Sequence, residues 1–256
     1  MMNMDSFGSI RNNTPWEQHG DIWVKREDLC CPEGPQFSKI RGLVEHLSKL
    51  PSGKLVGVLD TVHSKGGWGA AYVCAALGLP CRVFYPGMGP RNGQIEAAKW
   101  GAELFSLKPG RSSVLWYRAR NLIGQDDGYM LPNGLQLQES IEATRREVED
   151  FTPPELKCGT WVVSASTGTI AQGVSQGLDG AVHLIVHLGY SRSVATMKKK
   201  FPEETEFIDE GYGYRDAAGI SCPFPCNPYY DLKAWKWLGE NIDGLEKPII
   251  FWNIGA

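Results

Sequence analysis

Apolar and polar residues alternate along "DIWVKRED" (21–28), the period-two pattern of a half-buried strand. In "SKIRGLVEHLSKL" (38–50) the spacing changes. Ile40, Leu43, Val44, Leu47 and Leu50 fall on one face of a 3.6-residue helix, which Pro51 and Gly53 end. "KLVGVLD" (54–60) reads as a buried strand, and "GGWGAAYVCAALGL" (66–79) as a small-residue helix stopped at Gly78 and Pro80. Strand "CRVFYPG" (81–87), helix "NGQIEAAKWGA" (92–102) and strand "ELFSLKP" (103–109) continue the alternation. A long helix, "LQLQESIEATRREVEDF" (135–151), closes at Pro153-Pro154. The pattern then restarts: strand 160–166, helix 168–178, strand 181–189, short helix 195–201, strand 204–210, helix 228–242 and a last strand and turn, "KPIIFWNIGA" (247–256). Strands alternating with helices predict an α/β fold of two units, each a parallel sheet covered by helices. A ligand is expected in the crevice between the units, the usual place in open parallel sheets.

Composition narrows the class. The chain has 256 residues, 42% apolar and 21% charged, as in an ordinary soluble enzyme. A net charge of −3 gives no broad attraction to phosphate backbones or anionic lipid. "MKKK" (197–200) is the one positive cluster and reads as a solvated helix end. "MMNMDSFGSI" has no apolar core of a secretory signal, and no 18-residue apolar run could span a membrane. Seven irregularly spaced cysteines then read as reduced thiols in a cytoplasmic protein. No metal is expected. Cys222 and Cys226 lack a second ligand pair, and His183 and His187, four apart on a strand, sit about 13 Å apart.

Three turns of small residues follow strands: "TVHSKGGWGAAY" (61–72), "SASTGTIAQG" (164–173) and "NIGA" (253–256). Such turns aim backbone N–H groups at an anion, most often a phosphate, yet none matches a nucleotide-binding pattern. Lys39 lies between Phe37 and Ile40 at a helix start. A lysine held among apolar neighbours becomes a possible amine nucleophile, against the alternative of a snorkelling side chain. Together these features suggest pyridoxal phosphate held as a Schiff base.

The chain also resembles a known family. "NTPWEQHGDIWVKREDL" followed by "FSKIRGL" is similar to the opening of the tryptophan synthase β-like, or fold type II, pyridoxal-phosphate enzymes. "EGYGYRD", "NPYYDLKAW" and "IIFWNIGA" look most like the branch with D-cysteine desulfhydrase and aminocyclopropane-carboxylate deaminase. The resemblance implies a larger cofactor-binding domain (1–50 and 146–256) and a smaller α/β domain (51–145). It implies that Lys39 holds the cofactor and moves a proton at the substrate Cα, with Ser38 beside it. Ser166, Thr167, Gly168 and Thr169 would bind the cofactor phosphate. Ser64, Gly66, Gly67, Trp68 and Gly69 match a loop that contacts substrate carboxylate and cofactor ring, with Ser64 also catalytic. Tyr212 would be catalytic and Tyr229 would face the substrate. His63 and Asn253 are expected within hydrogen-bonding reach of the cofactor.

Two departures stand out. Gly67 occupies the place of an Asn that bonds the cofactor's phenolic oxygen, and Ile254 that of a Thr near the pyridine nitrogen. Three functions are therefore carried forward. The first is a lyase- or deaminase-like enzyme acting at Cα or Cβ of a small amino acid or amine, as a homodimer like most relatives. The second is a binding protein that kept the fold and lost the chemistry. The third is a phage-type enzyme that modifies an amino-acid group attached to a DNA base.

Overall fold

The computed structural model describes residues 10–87, 89–178 and 182–255. The opening segment "MMNMDSFGSI" falls largely outside them, as does the last residue of the "NIGA" turn. The chain divides into two compact units: residues 33–35 and 39–139 belong to one, and 11–32, 36–38 and 140–255 to the other.

The larger unit holds a six-stranded sheet. Its strands are β1 (Trp16–His19), β2 (Ile22–Arg26), β7 (Thr160–Ala165), β8 (His183–Leu188), β9 (Glu206–Ile208) and β10 (Ile249–Asn253), in the order β1-β2-β10-β7-β8-β9. All neighbours are parallel except β1 with β2, joined by a two-residue turn where Gly20 takes a left-handed φ of +62°. β1 was not foreseen, because "WEQH" offers one apolar residue to a period-two reading. Central strands are buried on both faces, which is why they read as continuous apolar runs. On β10, Ile250 and Trp252 pack with Trp161, Val163 and Val186, while Ile249 and Phe251 pack with Val24, Val162 and Ile185 on the opposite face. Helices α5 (Gln138–Phe151), α6 (Thr169–Gly177), α7 (Val194–Lys198) and α8 (Asp231–Asn241) complete this unit.

The smaller unit carries a parallel four-stranded sheet, β5 (Glu103–Leu107), β4 (Cys81–Pro86), β3 (Val56–Leu59) and β6 (Tyr129–Met130), in that order. Its helices are α1 (Ile40–Leu47), α2 (Gly66–Leu77), α3 (Asn92–Lys99) and α4 (Ser112–Gln125). The sequence reading assigned no element to α4, although Leu115, Ala119 and Ile123 recur at helical spacing and are its buried residues. The helix packs close to the sheet because β3 carries Gly57, where a Cβ would come within 2.9 Å of Ile123 Cγ1. The domain boundary also moves. Residues 39–50, expected in the larger domain, belong to the smaller unit, and the chain passes from one unit to the other between Ser38 and Lys39.

The "KRED" stretch that carried the resemblance is structural. Lys25 is fully buried and pairs with Glu147 at 2.7 Å, also donating to Thr14 O at 2.8 Å. The Glu147 carboxylate accepts from the Asn13 and Thr14 N–H groups. Arg26 clasps Asp28 through two nitrogens, at 2.9 and 2.8 Å. A buried pair of this kind is strongly destabilising when one partner is removed, because it leaves a desolvated charge.

Candidate active site

In the smaller unit, Lys39 is the residue just before α1, with helical φ −61° and ψ −13°. It is half-buried, and its Nζ donates to Gly134 O at 2.8 Å. Gly134 and Leu135 both take positive φ, +67° and +52°, in a turn that also reaches α2. A Cβ on Gly66 would stand 3.3 Å from Leu135 Cδ1. Lys39 and the Ser64–Gly66 loop thus flank the same turn. Ser64 Oγ accepts the Gly66 N–H at 2.9 Å, shaping the entry to α2.

Gly67 has a steric cause. Its N–H donates to Asp60 Oδ1 at 3.0 Å, and a Cβ there would lie 2.9 Å from Asp60 Cβ, Asp60 Cγ and Val83 Cγ1. Asp60, at the end of β3, is completely buried and also accepts from Gln94 Nε2 at 2.5 Å. Burial pushes its carboxyl up to about 6, against the pull of the Gly67, Gln94 and Ser64 hydrogen bonds. An Asn side chain has no room where Asp60 sits. Trp68 is half-buried beneath the Lys65 ammonium, 5.7 Å from its ring, and its Nε1–H has no partner among the described residues. His63 and Gly69 lie on the same loop and helix start.

In the larger unit, β7 runs into the Ser166–Thr169 turn and then α6. Gly168 caps the helix at φ +82°, and a Cβ there would meet Met197 Cε at 2.8 Å. Only glycine suits both the backbone and the space. Thr167 Oγ1 and Thr169 Oγ1 lie 3.0 Å apart, and Ser166 Oγ lies 3.4 Å from the Tyr190 hydroxyl. Hydroxyls and helix N–H groups gathered in this way suit an anion.

Asp231, at the start of α8, was missed. It is buried, accepts from Ser164 Oγ at 2.6 Å and from the Ile254 N–H at 3.4 Å, and burial lifts its carboxyl to about 7. Its sequence signal is an acidic residue at the helix start in "PYYDLKA". Asp231 stands beside Ile254, the residue in the place of the family's Thr. Asn253 donates to Asp28 Oδ1 and to Pro225 O, both at 2.9 Å, and its buried Oδ1 has no partner among the described residues. Ser38 donates its N–H to Ile254 O, and its buried Oγ is likewise unpartnered. Tyr212 is half-buried under the Lys233 ammonium, 4.6 Å from its ring, while Tyr229 donates its N–H to Asn227 Oδ1. The two strand histidines serve cross-strand pairs, His183 with Glu206 at 2.9 Å and His187 with Glu210 at 2.8 Å. Among the described residues no cluster suits a metal ion, and no helix is long and apolar enough to cross a membrane.

Residues 11–237 match the family described as "Pyridoxal-phosphate dependent enzyme". The chain belongs to that family. It is 44% identical, over 96% of its length and 99% of the relative's, to a "Glycyl-dTMP PLP-dependent decarboxylase" of Pseudomonas phage M6. Among solved structures it is similar to an ACC deaminase homologue (TM-score 0.82, 20% identity, 99% of this chain and 95% of that one). It is also similar to O-acetyl serine sulfhydrylase isoform 3 of Entamoeba histolytica (TM-score 0.76, 17% identity, 98% and 88%). At these identities the solved structures speak for the fold: α/β with parallel-sheet domains, as the motifs implied. The protein is thus a pyridoxal-phosphate-dependent enzyme of fold type II. Each unit by itself carries groups of the kind such a cofactor needs: the smaller an amine at Lys39, the larger a glycine turn at Gly168 that a Cβ would fill and buried polar atoms on Ser38 and Asn253 without partners among the described residues.

Proposed function

We propose that this enzyme breaks the bond between Cα and the carboxylate of an amino-acid group carried on a thymidine nucleotide. The observation behind this reading is identity of 44% across nearly the whole of both chains with a glycyl-dTMP decarboxylase. The reading narrows the lyase-like activity to a decarboxylation and takes up the third function carried forward from the sequence.

When bound, pyridoxal phosphate draws electron density from the bond being broken at Cα. In our assignment Lys39 holds the cofactor through its amine and delivers a proton to Cα once carbon dioxide has left. Ser166, Thr167 and Thr169 hydroxyls and the N–H groups around Gly168 hold the phosphate. Asp231, braced by Ser164, serves the ring nitrogen, the duty Ile254 cannot perform. A carboxyl titrating near 7 can hold or share a proton there at neutral pH. Ser64, Gly66 and Trp68 shape the substrate side, with Tyr212 and Tyr229 the aromatic candidates and His63 and Asn253 the polar ones.

The test is release of labelled carbon dioxide from a carboxyl-labelled glycyl thymidine monophosphate with a primary amine, against free glycine and free D-cysteine. Release from the nucleotide alone is the expected result. Rapid conversion of D-cysteine to pyruvate and sulfide, with no carbon dioxide from the nucleotide, overturns the reading and returns the enzyme to the deaminase-like branch.

A further inference from the structure

Two cations stand at the Ser166–Thr169 loop and have no part in the roles above. Lys200, just past α7, donates from Nζ to the Thr167 carbonyl at 3.1 Å. Arg192 lies over the ring of Tyr190, with its guanidinium carbon 5.3 Å from the centroid, and the Tyr190 hydroxyl in turn meets Ser166 Oγ. Arg192 Nη1 is shielded from solvent and has no hydrogen-bond partner among the described residues, nor does any carboxylate there pair with Arg192. A shielded guanidinium N–H without an acceptor costs free energy unless a ligand supplies one. Burial and the nearby Arg192 charge hold the Lys200 amine below its ordinary value, so the two cations are close enough to repel. Lys198 and Lys199, exposed and without ion pairs among the described residues, extend the same positive edge.

We propose that Arg192 and Lys200 are a phosphate-binding pair set on the Ser166–Thr169 loop, adding to its hydroxyls and backbone N–H groups the positive charge they lack. The proposal rests on the assignment of that loop to a phosphate. An arginine fork matches phosphate oxygens, and a lysine adds a point charge. The phosphate comes either from the cofactor or from the nucleotide that carries the substrate. The "MKKK" cluster, which the sequence suggested was a solvated helix end, contributes its last lysine to this pair.

The test compares Arg192→Met, Lys200→Met and Arg192→Lys with the wild type. Dissociation constants are measured for pyridoxal phosphate and for phosphate-free pyridoxal, and for thymidine monophosphate on the holoenzyme. Circular dichroism checks the fold, and Lys200→Met, an exposed change, keeps the question open should Arg192→Met misfold. The expected result is at least tenfold weaker binding of one phosphate-bearing ligand in each Met variant, unchanged pyridoxal binding, and partial rescue in Arg192→Lys. A shift in the pyridoxal phosphate arm identifies the cofactor as the source, and a shift in the thymidine monophosphate arm the nucleotide. If folded Met variants bind both ligands as the wild type does, the pair is not a phosphate site, while the loop assignment stands. If the wild type binds pyridoxal as tightly as its phosphate, loop assignment and pair fall together.

Discussion

Replacing Gly67 with Ala puts a methyl group where the structure has none to spare. The new Cβ would sit 2.9 Å from Asp60 Cβ, Asp60 Cγ and Val83 Cγ1, against about 3.4–4 Å for ordinary contact. Asp60 cannot swing aside freely, since Gly67 N–H and Gln94 Nε2 both hold it, and Val83 is fully buried on β4. Overpacking of this kind costs about 1–3 kcal/mol. Loosening the Asp60 hydrogen bond to Gly67 adds about 1 kcal/mol. Against this, alanine in place of glycine favours a helix by at most about 1 kcal/mol, and less in the first turn. The net expectation is a loss of about 1–3 kcal/mol, read as a lower urea midpoint. Gly239→Ala is the matched control. It lies in α8 with nothing within 4 Å of the added Cβ, and should gain roughly 0.5–1 kcal/mol. If Gly67→Ala equals or exceeds the wild type in stability, the steric account of the missing Asn is wrong. Glycine would then be there for the ligand and not for Asp60.

Lys39→Ala should abolish the visible absorbance of the bound cofactor and leave the thermal midpoint within a few degrees; a retained band, or reduced cofactor mapped to Lys25 or Lys65, would refute the assignment. Gly168→Ala forces a side chain into a left-handed conformation and against Met197 Cε, so it should cost on the order of 1–3 kcal/mol and loosen cofactor binding about tenfold; unchanged binding would move the phosphate to another turn. Asp231 titrates near 7 when folded and near 4 when unfolded, so its contribution to cofactor-free stability is full below about pH 4 and is lost as pH rises through 7. The swing is on the order of 4 kcal/mol, and Asp231→Asn should flatten the stability profile over that window, which urea titrations at several pH values would reveal; an unaltered slope would show that another group carries it.

Much of this protein is legible along the chain. Buried parallel strands must be apolar on both faces, so "KLVGVLD", "TWVVSAS" and "KPIIFWNI" announce themselves without neighbours. Glycine and proline stop helices by local sterics, and Gly78 indeed ends α2 in a left-handed conformation. The helix start at Lys39 and the small-residue turn before α6 are visible too, because residue type sets where a helix begins. The hidden parts depend on residues far apart in sequence. β1 is a strand because β2 offers it an edge to pair with, not because "WEQH" alternates. Lys25 is tolerable at full burial because Glu147, more than a hundred residues away, meets it. Gly67 is read from the sequence only as a departure from a family loop, and packing adds that Asp60 and Val83 leave no room for a side chain there. Asp231 owes its raised proton affinity to burial, which outweighs the opposing pull of the Ser164 and Ile254 hydrogen bonds. Local propensity and period are properties of a few consecutive residues and so can be read in order. Desolvation, steric exclusion and charge pairing are properties of a volume, and only the folded chain decides which residues share it.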